Sequence, residues 1–63
     1  MTEQDAQRVV ERAEGLYQRA VKYTRDKSHA AELRLKAQSD AKLIGVILGK
    51  STFDIEKELH ENG

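Results

Sequence analysis

The sequence predicts an all-α fold: two long helices plus a short C-terminal helix, assembled as an intertwined or packed homodimer. Three observations predict it. Proline and cysteine are absent, and the abundant residues are alanine, leucine, glutamate, lysine, arginine and glutamine, all good helix formers. Apolar residues recur at helical spacing through residues 6–24. Finally, the stretch AKLIGVILGK, residues 41–50, carries Leu43, Ile44, Val46, Ile47 and Leu48, five large aliphatics within six positions. Ile44, Ile47 and Leu48 share one helical face, whereas Leu43 and Val46 point elsewhere. A segment apolar on most sides must be surrounded, and 63 residues hold too little other material to do so. A second copy of the chain is the expected cover.

The first helix is expected over about 3–25. Thr2 followed by Asp5 is a short version of the capping box, and Glu3 and Asp5 suit a helix N-terminus electrostatically. Val9, Leu16 and Tyr23 fall at one heptad position, and Ala6, Ala13 and Ala20 at another. Val10, Tyr17 and Thr24 complete that face. Gly15 is a mid-helix cost of roughly 1 kcal/mol against alanine.

Residues 24–30, TRDKSHA, carry no large aliphatic side chain, and Asp26 or Ser28 is a candidate cap for a new helix. A break is expected here. One continuous helix is the rival, because the heptad count runs on through Ala30, Ala37 and Ile44, although it would put Lys27 and Arg34 on the seam.

The second helix is expected over about 29–48. Its main face is Ala30, Leu33, Ala37, Ala41, Ile44, Ile47 and Leu48; a second face holds Leu35, Leu43 and Val46. In a hairpin, Leu33, Ile44, Ile47 and Leu48 would lie against Val9, Leu16, Tyr17 and Tyr23. Gly45 and Gly49, four apart, would let backbones approach, and Gly49 suits a helix end. Ser51, three before Asp54, opens a third helix over about 52–60, with Phe53, Ile55 and Leu59 as its apolar residues and the only available lid. Asn62 and Gly63 are expected to fray.

Residues 1–63 form a single helical dimerisation domain in this reading. A chain this short is marginal alone, and without cysteine it has no disulfide to add. His29 and His60 have no ligand spacing around them, so no metal or cofactor is expected. MTEQDAQR is acidic and polar, unlike a signal peptide, and the apolar run at 43–48 is far short of the ~20 residues that span a bilayer. The expectation is a soluble cytoplasmic protein with no membrane contact.

Net charge is zero but unevenly placed. Residues 17–50 hold eight basic and three acidic side chains, while both ends are acidic. One reading is attraction between segments of the chain. The other is a basic patch for an acidic partner. Arg19, Lys22, Arg25, Lys27, Arg34 and Lys36 flank the expected break and would cluster at the hairpin tip as a candidate partner or phosphate contact.

Two motif resemblances carry little. Gly45–Thr52 resembles the end of a phosphate-binding loop but has three residues between its glycines where four are needed. The same stretch resembles a helix-turn-helix with Gly49 at the turn and Ile55 beyond it. However, Glu58 stands where a buried aliphatic is expected, and Asp54, Glu56, Glu58 and Glu61 would meet phosphates with like charge. No carboxylate pair or nucleophile–base pair stands out, so the chain is not expected to be an enzyme.

The opening MTEQDAQRVVERAEGLYQRAVKYTRDKSH and the centre ELRLKAQSDAKLIGVILGK resemble small proteins of the exo–xis region of lambdoid bacteriophages, over all 63 residues. The resemblance implies a small helical protein that dimerises. It also implies a role in phage development, favouring the lytic course through host or phage regulatory proteins. It brings no catalytic motif and no partner-binding residue. The combined expectation is a regulatory interaction protein whose dimer interface is Leu35, Leu43, Ile44, Gly45, Val46, Ile47 and Phe53. The alternative is a nucleic-acid-binding protein that uses the basic tip or a degenerate helix-turn-helix.

Overall fold

The computed structural model describes residues 2–60 as three helices, α1 (Glu3–Arg25), α2 (Ala31–Ile47) and α3 (Thr52–His60). The expected fraying at Asn62 and Gly63 lies outside the described residues.

Local chemistry accounts for most of the ends. At the start of α1 the capping box is complete: the Asp5 amide donates to Thr2 Oγ1 at 3.2 Å, and the Thr2 amide donates to Asp5 Oδ2 at 3.4 Å. The chain breaks after Arg25, and the continuous helix is excluded. Asp26 does not cap α2. Its Oδ1 instead accepts from the Ser28 amide at 3.0 Å and from Ser28 Oγ at 2.7 Å, which folds the turn locally. These two bonds, the side-chain one first, hold the Asp26 carboxyl below its ordinary value of 3.8. His29 stacks on Tyr23, with ring centroids 3.7 Å apart, so the turn is pinned to α1. Ala30 is the N-cap of α2, with no side-chain cap at all.

The far end of α2 is a Schellman closure. The Lys50 amide donates to the Gly45 carbonyl at 2.9 Å and the Gly49 amide to the Val46 carbonyl at 3.0 Å. This geometry needs a left-handed residue, and Gly49 supplies it at φ 83°. Ser51 then caps α3, its Oγ accepting from the Asp54 amide at 3.1 Å.

α1 and α2 pack as an antiparallel hairpin, and α3 folds back onto one side of it. The core is small: Tyr17 and Val21 from α1, Ala41 and Gly45 from α2, Ile55 and Leu59 from α3. Ala20, Ile44 and Leu48 pack against its edge. The hairpin core expected from the sequence is therefore corrected. Ile47 is 79% exposed, and Leu33, Val9 and Leu16 are also exposed. Small residues form the centre of the α2 face because they admit Tyr17 and Ile55. At 23 residues against 17, α1 outruns its partner, and every residue from 2 to 12 is exposed. The stripe through Ala6, Val9 and Val10 has no cover among the described residues.

Candidate interaction surfaces

The first surface is the outer side of α2. Leu43, Val46 and Ile47 lie away from Ala41 and Gly45 by helical periodicity, Leu43 bordering the α1–α2 groove, while Leu35 lies toward the groove beside α3; all four are more than half exposed. Ser39, small and exposed, sits among them. Phe53, at the start of α3, is 76% exposed; the lid that the sequence suggested is made by Ile55 and Leu59 over the core instead. Of the seven residues expected at a dimer interface, Leu35, Leu43, Val46, Ile47 and Phe53 are thus uncovered. Ile44 is half-buried against the core. Gly45 leaves the set: its close approach is to Ile55 and Tyr17 of its own chain.

The basic residues do not form the single cluster expected at the hairpin tip. Lys22, Arg25 and Lys27 are exposed at the turn. Arg34 lies on the side of α3, in a groove with Leu35, Leu59 and His60, and its Nε donates to the His29 carbonyl at 3.1 Å. Arg19 and Lys36 face a different groove, between α1 and α2, with Tyr23 and Leu33. α2 runs back from the turn at about 1.5 Å per residue, so its cations are spread along the hairpin and around it.

On the α3 side, charge joins the helices. Lys42 Nζ lies 2.8 Å from Glu56 Oε1, and Lys50 Nζ 3.8 Å from Glu58 Oε1. The Lys42 hydrogen bond holds the Glu56 carboxyl below its ordinary value, with His60 beside it at 3.1 Å adding to the effect. Segment attraction therefore accounts for part of the uneven charge. Tyr17 is fully buried, and its hydroxyl donates to Glu58 Oε2 at 2.5 Å, with Lys50 Nζ 5.0 Å from the ring centre. Burial first, then the bond to the Glu58 carboxylate, pushes the Tyr17 phenol well above its ordinary value of 10.0. The buried partner that a helix-turn-helix would need at Glu58 is replaced by this polar clasp.

Sequence reasoning missed two participants. Glu58 reads as a solvent acid, and only the fold brings it to Tyr17, 41 residues away. Arg12 joins Arg19 over Gly15 and Leu16, and the seven-residue spacing of those arginines beside Leu16 was a usable signal.

Among the described residues, no three His, Asp or Glu side chains gather as metal ligands would, and no helix is long and apolar enough to cross a membrane. Comparison with protein-family models, curated proteins and solved structures returns no significant match.

Proposed function

We propose that this chain is a small non-enzymatic regulatory protein that acts through its surfaces: it pairs with a second copy of itself and engages regulatory proteins of a bacteriophage or its host, favouring lytic development. The developmental role rests on the sequence resemblance. The molecular part rests on one observation, the uncovered outer side of α2. Leu43, Val46 and Ile47, with Leu35 toward the α3 side, are large aliphatics left exposed, whereas the buried core holds three among the described residues, Val21, Ile55 and Leu59. Each is worth about 1.5–3 kcal/mol when fully buried. Side chains on this scale, set together on one helix, are the material of a protein–protein interface. A two-fold axis across α2 would cover the face of both copies, and closed dimers are the commonest small assembly. Sedimentation equilibrium at micromolar concentration tests the pairing; a monomer would remove it.

A second reading is supported by Lys22, Arg25 and Lys27, exposed together at the turn. Such a tip could contact phosphates without reading sequence. Electrophoretic mobility with duplex DNA at low and moderate salt separates the readings, because tight, steeply salt-dependent binding belongs only to the second.

A further inference from the structure

The hairpin already seats one acidic amphipathic helix. α3 inserts Ile55 and Leu59, four residues apart, beside Tyr17, Val21 and Ala41. Its Glu56 and Glu58 then reach Lys42 and Lys50 at the rim. The other side of the hairpin repeats this chemistry with no occupant among the described residues. There Leu16 and Ala20 of α1 face Leu43 and Ile44 of α2 in one groove, which continues past Tyr23, Leu33 and Ala37 in the next. No residue of α3 lines either groove. The rim carries Arg12, Arg19 and Lys36 against a single acid, Asp40. Among the described residues none of these three cations is in an ion pair, whereas Lys42 and Lys50 on the α3 side both are.

We propose that this open groove between α1 and α2 docks an acidic amphipathic helix of a partner protein, in the way the opposite side holds α3. The inference rests on the reading of the chain as an interaction protein and names the chemistry of its partner. Apolar side chains one helical turn apart would enter between Leu16 and Leu33, and carboxylates beside them would meet Arg12, Arg19 and Lys36. A basic helix would bring like charge to the same rim. A second copy is the weaker fit, because the acidic amphipathic helix it carries, α3, already has its aliphatics committed to its own core.

The test uses the full chain and two synthetic helical peptides. One has an isoleucine–leucine stripe flanked by glutamates; its twin has lysines in their place. The acidic peptide should shift the amides of Leu16, Ala20, Tyr23, Leu33 and Ala37, and its affinity should fall as salt rises. Arg19→Glu with Lys36→Glu should weaken it about ten-fold. Lys27→Glu, at the turn, should leave it unchanged. If the double variant melts early, Lys36→Ala and the salt dependence probe the same contacts. Equal binding of the lysine twin would overturn the inference, as would shifts centred on Ile55 and Leu59, or no binding of the acidic peptide. Duplex DNA shifting these amides in its stead would do the same. Sedimentation of the same samples keeps the two proposals apart. A dimer that ignores the acidic peptide removes this inference alone, and a monomer that binds it removes the pairing alone.

Discussion

Ile55 occupies the space that a side chain on Gly45 would fill. A Cβ at Gly45 would lie 2.6 Å from Ile55 Cδ1 and 2.9 Å from its Cγ1, with Tyr17 Cε2 at 3.1 Å. Ile55 is buried and cannot swing aside into water. The seat of α3 on the hairpin is therefore cut by the absence of one methyl group on α2.

Gly45→Ala should destabilise the protein despite alanine's better helix propensity. The propensity gain is about 1 kcal/mol, and the overpacking cost is about 1–3 kcal/mol, so a net loss of roughly 1 kcal/mol is expected. Gly15 provides the contrast, since nothing lies within 4 Å of its would-be Cβ. Gly15→Ala should stabilise by about 0.5–1 kcal/mol. Thermal melts followed by circular dichroism compare the two; a stabilised Gly45→Ala would mean that α3 is loosely seated.

Gly49 has the opposite problem: open space but a left-handed backbone at φ 83°. Gly49→Ala should cost about 1–2 kcal/mol from backbone strain alone. Gly49→Asn should recover part of that, because asparagine tolerates this region. Urea unfolding midpoints of the three proteins check the order.

The Tyr17 clasp predicts an alkaline weakness. The phenol is held neutral in the fold well above its ordinary 10.0, whereas the unfolded chain releases that proton near 10.0. The folded state then binds more protons than the unfolded one, so the contribution is complete below pH 10 and is lost as pH rises beyond it. The slope is up to about 1.4 kcal/mol per pH unit. Tyr17→Phe should lower stability at neutral pH, by losing the bond to Glu58, and should flatten the alkaline limb. Urea titrations at several values between pH 8 and 11 would show both effects; an unchanged slope would place the proton elsewhere.

Glu56 acts on the acid side. Lys42 holds its carboxyl below the ordinary 4.5, so its contribution is present above that value and disappears as pH falls through the lowered one. Glu56→Gln should remove part of the acid limb of the stability curve and reduce its salt sensitivity, with little change at the alkaline end. Melting temperatures from pH 3 to 7 at two salt concentrations measure this.

Helix ends were legible in the sequence because they are local. Thr2 with Asp5 and Ser51 with Asp54 act within one turn, and α1 and α3 span the expected 3–25 and 52–60. The start of α2 was not legible to the residue, since Asp26 spends its side chain on Ser28 and leaves Ala30 as an N-cap without a capping side chain. The core was harder still. Periodicity marks a helix face by its large aliphatics, and on α2 that rule selected Ile47, which faces water. Ala41 and Gly45 form the packed face because their smallness admits Tyr17 and Ile55, a requirement set by partners distant in sequence. The basic residues misled for the same reason: they lie close along the chain, and the hairpin sends them to different sides.

The outer side of α2 yields the sharpest prediction about assembly. Within one chain Val46 is 62% exposed and Leu43 64%, so an aspartate at either position disturbs little of the chain's own packing. As a monomer, Val46→Asp should change stability by no more than about 0.5 kcal/mol. In a dimer paired across α2 the same substitution puts two carboxylates into one apolar interface. Their burial unpaired is costly, and the contact of two valines is lost as well. Val46→Asp and Leu43→Asp should therefore give folded but separated subunits, at a cost of several kcal/mol in the association. Lys27→Asp, exposed at the turn and away from the α2 face, should leave the pairing intact. Sedimentation equilibrium together with circular dichroism separates these outcomes. Helical Val46→Asp sedimenting as a monomer beside a dimeric Lys27→Asp is the expected pattern. A dimer unaffected by either aspartate would move the interface to the uncovered stripe of α1 at Val9 and Val10.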